Sequence, residues 1–373
     1  MTIGILKEQA PENRVAVLPE SAAAFIKLNA QIAVEQGAGN NASTADADYT
    51  AAGAKILSRD EILSQSDIVI SINGVEEADF GKLKNGAILV GQYLPLYNGA
   101  KMKTIAAKGI TLFSMDMLPR TTRGQAMDVL SSQANLAGYK AVVLAATHYP
   151  KLFPMLMTAA GTITPAKVMI IGAGVAGLQA IATAKRLGAQ VEAFDTRPAV
   201  KEECQSLGAK FIEVEGAADA SKAGGYAVEQ SAEFIARQKA KIHEHASKAD
   251  IIITTAQIPG RKAPLLVEKT TVDAMKPGSV IVDLAASTGG NCELTKDREI
   301  VIYNGVKIIG NSNLASDTAL DASKLYGKNL VNFLKLIINK EGGINLNWED
   351  DLVKGTCITH GGNVTNEKVA AAN

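Results

Sequence analysis

Short apolar runs alternate with longer mixed segments through the first third of the chain: TIGIL, QIAVE, DIVISI, AILVG and ITLFSM, separated by stretches such as PESAAAFIKLN and RDEILSQS. Runs of that length, rich in Val and Ile, predict strands, and the segments between them predict helices. The alternation resumes at KVMIIGAG, QVEAFD, KFIEV, ADIIITTA, SVIVDLA and KIIGN. Runs this continuous suit parallel strands covered on both faces. Between the two series, from about Gly124 to Ala146, apolar spacing predicts one long helix bridging two domains. A second, from about Ser323 to Asn339, is placed to carry the chain back to the first domain. The stretch from Gly216 to Gln230, rich in Ala and Gly, reads as the one sizeable loop, and the terminal GGNVTNEKVAAAN reads as a frayed tail.

Length sharpens this picture. At 373 residues the chain exceeds the usual single domain of about 100 to 200, so two domains with a shared cleft are expected. Lys plus Arg equal Asp plus Glu at 38 each, so no net charge recruits nucleic acid or an anionic membrane. Cys204, Cys292 and Cys357 are too few and too scattered for a disulfide framework, which points to a reducing compartment. The opening MTIGILKEQAPENR has no apolar stretch of the kind a secretory signal needs, and no run reaches the ~20 apolar residues of a membrane span.

The strongest chemical motif follows KVMII. Gly172, Gly174 and Gly177 stand in a GxGxxG that opens the helical stretch LQAIATAKRLG. In that context Gly172 makes the turn, Gly174 admits a pyrophosphate, Gly177 lets helix meet strand, and Val175 and Ala176 begin the helix whose N-terminus favours anions. The next strand ends in Asp195, where a carboxylate takes ribose hydroxyls and repels a 2′-phosphate. That combination points to NAD(H) rather than NADP(H). Arg197, two residues on, is the competing sign of phosphate recognition, but Asp195 holds the strand-end position, so Thr196 and Arg197 are placed at the ribose or adenine rim, and Ala256 and Leu284, after later strands, complete this part of the cofactor set. The fold class expected is therefore α/β: two Rossmann-like domains with parallel sheets, joined by long helices around a nucleotide cleft. The first is discontinuous, 1–132 plus 319–373, and the second is 133–318.

Three further segments, PRTTRGQAMDVLSSQANLAGYKAV, GAGVAGLQAIATAKRLGAQVEAFDTRP and SVIVDLAASTGGNCELT, together with the N-terminal GILKEQAPENRVAVLP, carry a family resemblance across almost the whole chain. They resemble the NAD(H)-binding domain I, or alpha subunit, of proton-translocating nicotinamide nucleotide transhydrogenase. That resemblance implies hydride exchange between NAD(H) held here and NADP(H) held by a partner domain. It also implies a homodimer attached to the cytoplasmic face of a bacterial inner membrane only through a membrane subunit, and no metal. The residues matching the family's nicotinamide motif are Arg120, Gln125, Asp128 and Ser131, with Thr121 and Thr122 beside them. The i,i+3 spacings place Gln125, Asp128 and Ser131 on one helix face, with ordinary helix capping as the competing use of those polar residues. Gly224, Gly225 and Tyr226 resemble the family's mobile loop over the nucleotide, and GGNCE its turn near the same site.

Alanine dehydrogenase shares the architecture, so the alternatives are an amino-acid dehydrogenase and a redox-sensing NAD-binding protein. A dehydrogenase needs a positioned acid or base and a carboxylate clamp, whereas transfer between two nicotinamides needs orientation and electrostatics. Where alanine dehydrogenases carry lysine, histidine and aspartate, this chain aligns Asn73, Pro95 and Ser287. Arg14, which aligns with a substrate-holding arginine of the dehydrogenases, reads here as structural or loop-ordering. Cys292 reads as packed rather than nucleophilic. His243-Glu244-His245 reads as a solvated helix rather than a metal site.

Overall fold

In the computed structural model, which describes residues 1–216 and 231–371, the continuous apolar runs are explained by where successive side chains go. In Lys167–Ile171, Val168 and Ile170 enter one buried cluster while Met169 and Ile171 enter another. Ile251–Thr254 and Val280–Asp283 divide their side chains between the same two clusters. A strand with a core on each face has no polar side to show, so period-two alternation vanishes.

In chain order the strands are β1 (Thr2–Ile5), β2 (Gln31–Glu35), β3 (Lys55–Leu57), β4 (Ile68–Ile70), β5 (Ile88–Gly91), β6 (Thr111–Ser114), β7 (Leu156–Thr158), β8 (Gly161–Ile163) and β9 (Lys167–Ile171). They continue as β10 (Gln190–Phe194), β11 (Lys210–Ile212), β12 (Ile251–Thr254), β13 (Val280–Asp283), β14 (Ile300–Tyr303), β15 (Val306–Gly310), β16 (Cys357–His360) and β17 (Asn363–Val364). The chain divides into two units: Met1–Gln133 with Ser316–Asn373, and Ala134–Ala315. The first holds a sheet in the order β17-β16-β6-β5-β4-β1-β2-β3, and the second a sheet in the order β11-β10-β9-β12-β13-β15-β14. Both are Rossmann-like and mostly parallel. Antiparallel strands close one edge of each: β16 and β17 in the first, β14 in the second.

Three sequence expectations are corrected. The bridging helix does not begin near Gly124: a 3-10 turn occupies Thr122–Met127 and the α-helix runs Val129–His148. The break falls at Asp128, whose backbone is extended at ψ 94°. Its carboxylate accepts the Ser131 N–H at 3.0 Å and the Ser131 hydroxyl at 2.6 Å, which starts the helix one turn later than the apolar spacing suggests. The return helix runs Ala319–Leu334 rather than to Asn339. The terminal segment is ordered rather than frayed as far as residue 371, because β17 pairs with β16 and the helix Glu367–Ala371 buries Val369. In addition, β7 and β8 form a separate hairpin that the sequence pattern did not reveal. Met155, Leu156, Met157 and Ile163 on and beside it are 57, 42, 74 and 44% exposed.

Candidate functional site

Unit two presents the carboxyl ends of β9 and β12, the neighbouring central strands where the strand order reverses and parallel sheets bind ligands. The three glycines after β9 are required for different reasons. Gly172 has φ +98°, a conformation that penalises any Cβ. A Cβ on Gly177 would sit 1.9 Å from the Gly172 carbonyl oxygen, so helix and turn touch there. Gly174 has an ordinary φ of −76° and no protein atom within 4 Å of where its Cβ would stand. Nothing within the described protein demands glycine at that position, whereas a pyrophosphate lying on the backbone does. The helix Val175–Arg186 begins there with no side-chain cap and no acidic residue in its first turn. Its first N–H groups lack intrahelical partners. An open backbone cradle at the positive end of a helix fits a dinucleotide phosphate.

Asp195, at the end of β10, is already engaged. Its Oδ2 accepts the Ala173 N–H of the glycine turn at 2.7 Å and Arg197 Nη2 at 2.7 Å, while Oδ1 accepts Arg197 N and Nε, both at 2.8 Å. Thr196 is the residue the pair straddles. The Asp195 hydrogen bond holds the Arg197 guanidinium above its ordinary pKa. Ala256, just after β12, exchanges two hydrogen bonds with the Asn291 carboxamide, Ala256 N to Oδ1 at 3.0 Å and Nδ2 to Ala256 O at 2.9 Å. Leu284, just after β13, packs in the core at 6% exposure, and its carbonyl accepts from Gln257 Nε2 at 3.0 Å. Sequence reasoning missed the organiser of these loops. Asp283 is fully buried and accepts the N–H groups of Ala285, Asn291 and Cys292 as well as the Thr295 hydroxyl. An acidic residue closing an otherwise apolar strand was its only signal. Cys292 is 1% exposed and burial pushes its thiol to about 11, so it is packed and not nucleophilic.

In unit one, Arg120, Thr121, Thr122, Gln125, Asp128 and Ser131 line one cavity of about 330 Å³ with Leu118, Pro119 and Gly124. The quartet is therefore gathered, although not on one helix face. Gln125 lies in the 3-10 turn, Asp128 at the break and Ser131 in the first helical turn, with the Asp128 carboxylate committed to the cap. Thr121 Oγ1 accepts the Gly124 N–H at 3.3 Å and so starts the 3-10 turn. Residues far away in sequence hold this segment. Asn329 and Asn332 donate their amides to the Ala126 carbonyl at 2.9 and 3.1 Å, and Ser132 Oγ donates to Asn329 Oδ1 at 2.7 Å. Arg123 pairs with Asp350 and Asp351 at the start of the helix Asp351–Thr356.

The positions aligned with dehydrogenase chemistry do other work. Asn73 Nδ2 donates to Glu8 and Glu12, both at 3.2 Å. Ser287 N donates to Ser312 Oγ at 2.9 Å. Arg14 is 5% exposed and grips Glu12 through Nε at 2.8 Å and Nη2 at 2.7 Å, with Nη1 on Gln133 Oε1 at 2.8 Å. Burial raises the Glu12 pKa, but these bonds and the arginine charge outweigh it and bring the carboxyl down to about 2. Glu8 goes the other way: burial lifts it to about 7 against the pull of the Ile72 and Asn73 N–H groups. Of the paired histidines, His243 bonds Thr271 at 2.9 Å and His245 bonds Glu192 at 2.7 Å. No cluster of metal-ligating side chains occurs among the described residues. Gly224, Gly225 and Tyr226 lie outside them.

Comparison with known proteins agrees with this geometry. The N-terminal domain of the alanine dehydrogenase/PNT family matches residues 4–137, and the C-terminal domain matches residues 141–367. The chain is 47% identical over 372 residues to the first portion of the NAD(P) transhydrogenase alpha subunit of Rhodospirillum rubrum, covering 97% of each. A solved transhydrogenase from Sinorhizobium meliloti superposes with a TM-score of 0.89 at 45% identity, over 98% of this chain and all of that one. Similarity to the alanine dehydrogenase of Mycolicibacterium smegmatis is lower, 29% over 296 residues, covering 78% of this chain and 74% of that protein. The chain thus belongs to the alanine dehydrogenase/PNT family, among its NAD(P) transhydrogenase alpha subunits.

Proposed function

We propose that this chain is the NAD(H)-binding component of a proton-translocating NAD(P) transhydrogenase and exchanges hydride with NADP(H) held by a partner domain. The observation that carries this reading is the gathering of Arg120, Gln125, Asp128 and Ser131 around one cavity. In the reaction NADH gives a hydride to NADP⁺, leaving NAD⁺ and NADPH, and no proton passes to or from a side chain in that step. The bound nicotinamide supplies the hydride chemistry. What the chain must add is orientation. Gln125 offers a carboxamide that both donates and accepts, suited to the nicotinamide amide or its ribose. Asp128 fixes Ser131 and the helix start, so the cavity wall is rigid where the ring would rest. Gly172, Gly174, Gly177, Val175 and Ala176 would take the pyrophosphate, with Asp195, Thr196, Arg197 and Ala256 toward the adenosine end.

Among the described residues no helix is long and apolar enough to cross a membrane; the proposal assigns proton translocation to membrane subunits or domains outside those residues. A cytoplasmic position on the face of the bacterial inner membrane then follows from the partner. A homodimer is also proposed: the exposed apolar residues of the β7–β8 hairpin give a second copy something to cover.

The test is rapid mixing of NADH and this chain with a purified transhydrogenase NADP(H)-binding domain carrying an NADP⁺ analogue. A fast burst of analogue reduction that needs both proteins is expected. NADH binding without transfer to any such partner, or turnover of alanine by this chain alone, would overturn the reading.

A further inference from the structure

Asp195 and Arg197, two residues apart after β10, form a bidentate pair with side chains only 7 and 17% exposed. The pair is pinned to the glycine turn by the Ala173 N–H. At the end of this strand a carboxylate selects the free ribose, and an arginine in the same neighbourhood accommodates a 2′-phosphate. This chain carries both groups, and each neutralises the other. We infer that Asp195 sets cofactor choice by sequestering Arg197 as well as by addressing the ribose, so that the Asp195–Arg197 pair is a latent 2′-phosphate site held shut by its own carboxylate. The inference rests on the proposed NAD(H) reading and extends it.

The physical argument is one of geometry and charge. A guanidinium presents a planar fork that fits carboxylate and phosphate equally well. Here the fork is filled by Asp195, with Nε on one oxygen and Nη2 on the other. A 2′-phosphate arriving at the ribose end meets a pair of no net charge whose guanidinium edge is already taken by the carboxylate. Once the carboxylate is neutral, Asp195 no longer offsets the charge on the same fork, which is still placed by the Arg197 backbone beside Pro198–Val200, with Glu203 the remaining acidic neighbour. Loss of Asp195 should therefore do more than remove a repulsion: it should create an attraction that depends on Arg197.

The experiment is equilibrium binding of NADH and NADPH to the purified chain, with 2′-AMP and 5′-AMP as fragment probes, for the native protein, Asp195→Asn, and Asp195→Asn combined with Arg197→Ala. The asparagine keeps an acceptor for the Ala173 N–H, and Asp195→Ala, with its own Arg197→Ala double, serves as a second variant if the asparagine form unfolds. The native chain is expected to favour NADH. Asp195→Asn should weaken NADH about tenfold and tighten NADPH and 2′-AMP at least about tenfold, and the double variant should lose most of that gain. NADPH affinities that agree within twofold between the single and double variants would overturn the inference and leave the NAD(H) reading intact. A native chain that binds NADPH as well as NADH would overturn both.

Discussion

Each unit carries its own candidate subsite, and the two are built from different materials. In unit two the glycine turn is set by backbone: a positive φ at Gly172, a 1.9 Å approach at Gly177 and open space at Gly174. In unit one the cavity wall is set by side chains that reach it from residues 329–351, through Asn329, Asn332, Asp350 and Asp351. Backbone rules tolerate almost no substitution and leave a residue signature. Side-chain bracing tolerates graded loss and leaves none.

The sharpest break of this comparison is a pair of alanines in one motif. Gly177→Ala forces a Cβ into the Gly172 carbonyl and should cost on the order of 3 kcal/mol or more, seen as a large fall in Tm. Gly174→Ala meets nothing and should leave Tm unchanged while weakening NADH by roughly tenfold. Equal effects on Tm would show that the motif is structural throughout.

Next in size is a pH effect confined to unit one. Glu12 is held near 2 when folded, so its contribution is present above its ordinary pKa of 4.5 and is lost as pH falls from there through 2. For a group 3% exposed the loss is on the order of 3 kcal/mol. Glu8, raised to about 7, acts in the opposite sense, favouring the fold at low pH and costing stability as pH rises from 4.5 through 7. Thermal unfolding followed from pH 2.5 to 8 should therefore show an acid limb missing in Glu12→Gln and a decline of similar size between pH 4.5 and 7 missing in Glu8→Gln. Unaltered slopes would refute the assignments.

A smaller effect belongs to the brace. Asn329→Ala removes one of two amide bonds to the Ala126 carbonyl and the Asn329 acceptor of the Ser132 hydroxyl, which keeps the Val129 carbonyl, and should cost about 1 kcal/mol. If the brace places Gln125, hydride transfer to the partner should slow roughly tenfold with NADH affinity changed less than twofold, the sign of a step lost after binding. Parallel losses in binding and transfer would reduce Asn329 to fold support. Smallest of all, Arg123→Ala gives up an exposed pair and should leave Tm within error while slowing transfer no more than a few-fold.

The same contrast explains what was legible beforehand. The glycine turn and Asp195 could be read because each position admits few residue types and the strand, turn and helix follow in order. The start of the bridging helix was misplaced because Gln125, Ala126 and Met127 are good helix formers and the apolar spacing runs through them. Asp128 ahead of Val129 was the available stop sign, an acidic N-cap before an apolar run. Asn329 and Asp350 gave no sign, since their role depends on contacts about two hundred residues distant. The tail from Gly361 looked loose for a related reason: its order comes from β16 lying on β6, a pairing that no local pattern announces.

That pairing has a consequence for how the protein is made. Thr359 Oγ1 reaches the Ile110 carbonyl across 249 residues of sequence, and unit two is translated in between. At about 5–20 residues per second the ribosome takes on the order of ten seconds or more to supply the missing strand. During that interval β6 is the open edge of an unfinished sheet, whereas unit two is contiguous and can close as soon as it emerges. The half of the nascent chain synthesised first is thus the half completed last, and it is the half that a chaperone, or a neighbouring nascent chain, would find first.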